Sequence, residues 1–482
     1  MISELINNWA NRTPDKPAII FGGRPISYSS FERAIAAARG YFASEGLRGP
    51  GYAIICDPSL LNYWILSLGL RDLGLTTIAL PSPDLVNQFK VLDVRCVVTG
   101  AIDAWMALRK PCVELGLKPL QVTLSDAMPL DLEDARSSHS EGGHVLLTSG
   151  TTGNQKLVLM TPAMDAIFMR RKAEVIGMDK ETVLSAFNFP AWTAAGYRWA
   201  ASPWVFGGTV IIDQRSELFL PLCHPDITHA VLVPHMLSAV LSAPEGAYRR
   251  SDRLQLAVGA GAMSRMQIKL AKERITPHLF NWLASTEAGG IAYTRIDDPE
   301  NHRWQRLIPD RMVEVVDELN RPLGTGETGR LRIANEGGPC GYLNDALTSQ
   351  AFFKDGYFYP GDLATIRADG CLALQGRFTD IINVGGNKIS PTQIEDNLCE
   401  ALGVPQVCLF SMQSDAGEEK IYVVIESSAP IDCSQMVPVL KRDLRGVTQV
   451  QTYYAYPFPR NLMGKVLRRQ LIEQVVARLR SS

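Results

Sequence analysis

The apolar run Val145-Leu146-Leu147 leads straight into Thr148-Ser149-Gly150-Thr151-Thr152-Gly153-Asn154-Gln155-Lys156. This reads as a strand that ends in a loop of small residues. Glycines let the backbone approach an anion closely, and Ser and Thr hydroxyls add donors. Lys156 adds a positive charge. The string is not the nucleotide loop GxxxxGK[ST], because no Gly-Lys-Ser/Thr follows at the required spacing. Taken alone, it fits an anion cradle or a polar surface turn.

The chain around this loop alternates helical and strand-like segments. Phe31 to Glu45 has helical spacing and ends at Gly46, Tyr52 to Cys56 is a short apolar strand, Leu60 to Leu73 is helical, and Thr76 to Leu80 is strand-like. The rhythm returns at Thr209–Ile212, Ala230–Val233 and Leu254–Val258. Alternation of this kind predicts an α/β sheet with helices on its faces. From Val313 the texture changes to short β-type runs, Val313–Val316 and Gly329–Ile333, around the turn Asn320-Arg321-Pro322. These predict a small antiparallel sheet or barrel. At 482 residues the chain is too long for one ordinary core. The expected division is 1–377 as a large N-terminal α/β part with its barrel-like subdomain, and 378–482 as a small, mobile α+β lid.

Composition removes several classes. A formal net charge of −2 argues against broad electrostatic binding to nucleic acid or anionic membrane. No apolar run is long enough to span a membrane, and the start Met1-Ile2-Ser3-Glu4 does not read as a signal peptide. The nine cysteines are scattered without a CxxC pair, which reads as reduced thiols and a cytoplasmic protein. The seven histidines show neither HxxxH nor HExxH spacing, so no zinc site is expected.

Further strings follow the loop. Gly259-Ala260-Gly261-Ala262 comes after the strand-like Leu254–Val258, and Leu283-Ala284-Ser285-Thr286-Glu287 after it. Pro360-Gly361-Asp362 precedes Gly376-Arg377-Phe378-Thr379-Asp380. Then come Val384-Gly385-Gly386-Asn387-Lys388-Ile389-Ser390-Pro391 with Ile394-Glu395, and Pro459-Arg460-Asn461-Leu462-Met463-Gly464-Lys465. In content and order these resemble the motifs of the adenylate-forming superfamily, which holds acyl- and aryl-CoA synthetases, peptide-synthetase adenylation domains and luciferases. The likeness runs over nearly the whole chain.

The resemblance implies a set of roles. Thr148, Ser149, Gly150, Thr151, Thr152, Gly153 and Lys156 would cradle the phosphates of ATP. Gly259, Ala260 and Gly261, with Leu283, Ala284 and Ser285, would flank the nucleotide, and Thr286 would touch the α-phosphate region. Glu287 would help hold Mg²⁺, a hard cation that prefers carboxylate oxygen. Asp362 would accept from the ribose hydroxyls, since both carboxylate oxygens accept, and Arg377 would join it. Gly385, Gly386 and Lys388 would line the path of the thiol acceptor after the lid rotates. Lys465 would be the adenylation lysine, bridging the acid's carboxylate and the α-phosphate and offsetting charge in the transition state.

This chain also departs from the family pattern. Gln155 and Leu157 stand where Pro and Gly are usual, Leu283 replaces a Tyr, Pro360 a Thr or Ser, and Thr379 the usual hinge Asp or Lys. For the acid, Trp192, His235, Ala262 and Gly289 are the candidate contacts. His235 fits a structural role equally well, and Gly289 with Gly290 would leave room at the pocket floor. The segment Phe189 to Tyr197 contains no acidic residue, which disfavours an amino-acid substrate. Trp192 suits an apolar or aryl acid, whereas Tyr197, Trp199 and Trp204 read as core.

The expectation is therefore a stand-alone CoA synthetase that uses ATP, Mg²⁺ and coenzyme A on a small carboxylic acid, as monomer or homodimer. One alternative is a ligase that loads the phosphopantetheine arm of a separate carrier protein. Another is a degraded homologue that only binds a nucleotide or acyl ligand.

Overall fold

The computed structural model describes residues 2–122, 141–148, 156–298, 302–384, 387–413, 419–444, 450–461 and 464–481. Within these, the α/β reading holds. A six-stranded sheet runs in the order Pro119–Gln121, Val94–Thr99, Tyr52–Ile55, Thr76–Ala79, His144–Thr148, Lys156–Met160. All its neighbours pair parallel except the last two strands. An eight-stranded sheet runs Gly289–Arg295, His278–Ser285, Gln255–Gly259, His229–Leu232, Val183–Ser185, Thr209–Ile212, Pro17–Phe21, Arg24–Ser27. It is parallel inside, with an antiparallel strand at each edge. Such strands are covered on both faces, which explains why Thr209–Ile212 and His229–Leu232 are buried at every residue instead of alternating.

Local chemistry sets the helices between the strands. Ser27 caps Tyr28–Ser44 by accepting from Ser30 N, and Ser59 caps Leu60–Asp72 by accepting from Asn62 N. The two helices cross where Gly69 lies against Ala38 and Arg39, and a Cβ on Gly69 would come within 3.0 Å of Arg39 N. The predicted helices thus form, the first beginning three residues before Phe31. The sequence reading had not picked out the opening helix Ile2–Arg12 or the edge hairpin that follows it.

The antiparallel sheet expected after Val313 is present with seven strands, from Gln305–Arg306 to Cys371–Arg377. Beyond it, Val407–Gln413, Glu419–Glu426 and Val450–Ala455 form a three-stranded sheet packed with helices Pro391–Leu402, Met436–Asp443 and Arg468–Ser481. This last segment has its own apolar core around Leu398, Leu409, Val423 and Ile425. Ion pairs Arg265–Glu400 at 2.9 Å and Arg303–Asp396 at 3.1 Å tie it to the rest of the chain. No helix among the described residues is long and apolar enough to cross a membrane.

Candidate active site

The described motif residues sit at strand ends and turns. Thr148 ends the strand His144–Thr148, directly opposite Lys156 in the antiparallel neighbour. Ser149, Gly150, Thr151, Thr152 and Gly153 lie outside the described residues, as do Gly385, Gly386 and the side chain of Lys388. Leu147 N donates to Trp192 O at 2.8 Å, which sets Trp192 beside the strand that enters the loop. Tyr197, Trp199 and Trp204 are buried, as core residues should be.

The Lys156 ammonium is half-buried, 3.5 Å from the centre of the Phe352 ring and 4.8 Å from that of Tyr342. Burial pushes its pKa down, opposed by Glu287. Glu287 is 7% exposed and sits in the turn between His278–Ser285 and Gly289–Arg295. Its Oε1 accepts from the Tyr342 hydroxyl at 2.7 Å. Burial and the adjacent carboxylate push the Tyr342 hydroxyl well above its ordinary pKa, so it stays a donor. Arg198 Nη2 donates to Thr286 O at 2.8 Å and fixes the same turn from below. Burial lowers the Arg198 pKa to about 10.

Asp362 and Arg377 are direct cross-strand partners, and Arg377 Nε meets Asp362 Oδ1 at 2.9 Å. Opposite charges facing each other on one sheet surface stabilise the pairing. Arg377 Nη1 also donates to Pro360 O at 2.6 Å. Lys465 enters this corner from the last segment. It keeps contact with solvent, yet protein surrounds it on enough sides that desolvation lowers its pKa. Arg377 lowers it further, while Asp362 and Asp380 raise it. Burial pushes the Asp362 carboxyl up, against the pull of Arg377 and Lys465.

The remaining candidates are placed around this corner. Gly259 is buried at a strand end, and Ala260, with φ +61°, Gly261 and Ala262 are exposed beyond it. Leu283 is partly buried against the antiparallel sheet, with Ala284 exposed and Ser285 Oγ accepting from Ala288 N at 2.9 Å. His235 stands near the start of helix Pro234–Leu241, against Gly464. Gly289 has φ +70°, and a Cβ there would touch the Phe168 ring at 3.4 Å. At Gly290 a Cβ would meet the Trp282 ring at 2.6 Å. Phe168 and Trp282 therefore take up the space beside these two glycines.

Sequence reasoning passed over Tyr342, Arg198 and Phe352. Their partners lie far along the chain and no short motif marks them. For Mg²⁺, Glu287 offers hard oxygen, and no ion pair to it occurs among the described residues. No group of three or more His, Cys, Asp or Glu side chains that could hold a metal occurs among them either. A divalent ion on Glu287 would thus take its other ligands from water and phosphate, as Mg²⁺ commonly does.

The fold and the order of the motifs are those of the adenylate-forming superfamily. A family model described as AMP-binding enzyme matches residues 6–343, and the chain belongs to that family. Pyochelin synthase PchD of Pseudomonas aeruginosa (strain UCBPP-PA14) is 31% identical over 292 residues, covering 57% of this chain and 52% of that protein, so the match spans about half of the relative. The 2,3-dihydroxybenzoate-AMP ligase of Bacillus subtilis (strain 168) is 24% identical over 525 residues, covering 99% and 94%. Among solved structures, ATP-bound MatB from Rhodopseudomonas palustris superposes with a TM-score of 0.83 at 19% identity, covering 98% of this chain and 99% of that one, a likeness of fold.

Proposed function

We propose that this chain activates a small carboxylic acid with ATP as an acyl-adenylate, releasing pyrophosphate, and then passes the acyl group to the thiol of coenzyme A. Residues 1–377 bind nucleotide and acid, and 378–482 act as the lid that carries Lys465. What supports this most is the meeting of Lys465 with Asp362 and Arg377, which lie far apart in sequence and share one electrostatic corner.

The chemistry asks little covalent work of the protein. A carboxylate oxygen attacks the α-phosphorus, and the bond to the pyrophosphate oxygen breaks. Two anions that repel must be aligned and neutralised, which positioning and fixed charge supply. Lys465 stands between acid and α-phosphate, Lys156 answers the outer phosphates, and Asp362 takes the ribose hydroxyls. Mg²⁺ bound at Glu287 would supply further charge neutralisation on the phosphates. Lys156 must leave its aromatic seat to reach a phosphate; cation–π contacts are worth about 0.5–2 kcal/mol, less than a charge-assisted contact in a dry site.

An aryl or other apolar acid is the substrate class we favour. Trp192 beside the loop strand supports it, and the 2,3-dihydroxybenzoate ligase among the relatives acts on an aryl acid by its name. The test is a panel of acids (benzoate, salicylate, 2,3-dihydroxybenzoate, anthranilate, octanoate) scored for acid-dependent pyrophosphate release, then for thioester after adding CoA. Release with an aryl acid and thioester formation is the expected result. Release without CoA turnover points to a carrier-protein thiol, and no release with any acid overturns the reading.

A further inference from the structure

The turn that carries Lys465 is gripped from both sides. Within the last segment, Arg460 Nη1 donates to Gly464 O at 3.0 Å, and its other amino group pairs with Glu426. Gly464 N donates to Asn461 O at 2.8 Å, and Asn461 Oδ1 accepts from Lys465 N at 3.0 Å. From the opposite side comes His235. A Cβ placed on Gly464 would lie 1.8 Å from His235 Nδ1, 2.2 Å from Cε1 and 2.4 Å from Cγ. The imidazole thus fills the volume that any side chain at 464 would need. Gly464 also has φ +71°, a left-handed conformation that L side chains rarely adopt. Two separate constraints require glycine there, and one of them belongs to another part of the chain.

His235 is itself anchored to the nucleotide side of the cleft. Pro234 opens its helix, and Pro234 O accepts from Gln267 Nε2 at 2.8 Å. A Cβ on Gly261 would come within 3.2 Å of the Pro234 ring. His235 therefore connects the Gly259–Ala262 loop to the Lys465 turn. Burial and the nearby Arg460 hold its pKa below the ordinary histidine value, which keeps the ring uncharged near neutral pH beside that cation.

We propose that His235 is a positioning residue, whose ring docks against the Gly464 backbone and sets where the Lys465 ammonium stands. This rests on Lys465 being the adenylation lysine and adds the contact that seats it. The ring acts by shape, as a flat plug against a backbone without a side chain. It touches neither substrate nor the reacting atoms.

A double-mutant cycle tests the contact, with pyrophosphate release read on the panel acid that the wild-type chain turns over best. Gly464→Ala should lower kcat about 100-fold with the KM for ATP nearly unchanged, because overpacking and left-handed strain add. His235→Ala should cost about fivefold, from the lost packing. In the His235→Ala background, Gly464→Ala should cost only about tenfold, since strain remains while the clash is gone. If the double variant falls by the product of the two single effects, the docking contact is overturned. A second measurement is independent of turnover. Trypsin cleavage after Lys465, read by mass spectrometry, should be severalfold faster in His235→Ala than in the wild type; equal rates overturn the proposal. A wild-type chain that turns over no acid, but still shows faster cleavage in His235→Ala, would sink the adenylation reading and leave the contact standing.

Discussion

Two clusters of charge in this chain differ in their access to solvent. The first is the cleft corner of Asp362, Arg377 and Lys465. The second sits beneath the strand His144–Thr148, where Arg71, His144, Asp165 and Tyr197 are each no more than 1% exposed. There Arg71 Nη2 meets Glu141 Oε1 at 3.0 Å and Asp165 Oδ2 at 3.5 Å, and Arg71 Nε donates to Gly142 O at 2.9 Å. Arg71 also pairs with the Tyr197 hydroxyl. Burial pushes Asp165 up to about 6 and His144 well below its ordinary value. By pKa alone the buried cluster is the more perturbed of the two. Strongly shifted groups gather at functional sites and also in structural ion networks. Access separates the two cases. The cleft corner keeps solvent contact and gathers motifs from distant segments, whereas the lower cluster is sealed and braces the strand His144–Thr148 against helices Leu60–Asp72, Pro162–Ile176 and Ala194–Ala201.

That contrast gives the largest expected effect to the sealed cluster. Arg71→Ala removes the cation that pairs with Asp165 and leaves only Arg198 acting on it, and breaking a buried pair on one side costs about 3–5 kcal/mol. We expect a clear fall in the urea midpoint. Adenylation per folded molecule should stay within severalfold of the wild type. Loss of activity without loss of stability would move the cluster into the active site and erase the distinction.

Lys465→Ala should do the reverse. Removing a fixed charge aimed at the transition state costs about 10²–10³ in kcat. Acid-dependent pyrophosphate release should drop by that factor, while ATP affinity and the urea midpoint hardly change, because the side chain keeps solvent contact. Near-wild-type adenylate formation would remove Lys465 from its assigned role.

Tyr342→Phe lies between the two regions in burial, and its expected effect is smaller than either of these. The Tyr342 hydroxyl donates to Glu287 Oε1 and orients the carboxylate. Loss of such outer partners typically weakens metal binding 10–100-fold, and we expect the lower end. Half-maximal pyrophosphate release should need about tenfold more Mg²⁺. An unchanged Mg²⁺ titration would show that Glu287 needs no such orientation.

The same contrast explains what was legible in the sequence. The cleft corner is built from short local strings, each with a Gly or Pro that fixes a turn, and their order along the chain resembles that of the family, which is what marks Asp362, Arg377 and Lys465. The strands Thr209–Ile212 and Val313–Val316 were equally plain, because their apolar runs are bounded by turn residues. Of the sealed cluster only Tyr197 was legible, as core. Arg71 lies in the predicted helix as an ordinary last-turn cation, and Asp165 looks like a first-turn acid, each with a sufficient local reason to be there. Gly289 and Gly290 illustrate a subtler loss. A glycine signals that space is needed, and only packing reveals that Phe168 and Trp282 use it.

The most gradual effect, spread over about two pH units, probes the sealed cluster by pH. In the folded chain Asp165 titrates at about 6 against an ordinary 3.8, with desolvation outweighing the pull of Arg71 and Arg198 and the Tyr197 hydrogen bond. The neighbouring His144 is held neutral by burial and adds no charge in this range. Between those two values the native state holds a proton that the unfolded chain has released. Its contribution to stability is therefore present at low pH and is lost as pH rises through the window from about 4 to 6, at no more than about 1.4 kcal/mol per pH unit. Asp165→Asn cannot titrate and should lack this slope. Urea midpoints of both chains at pH 4, 5, 6 and 7 should show the wild type losing ground to the variant as pH rises. A difference that grows in the opposite direction would mean that the Arg71 pairing outweighs desolvation, so that even the sealed cluster holds its carboxylate in the charged form.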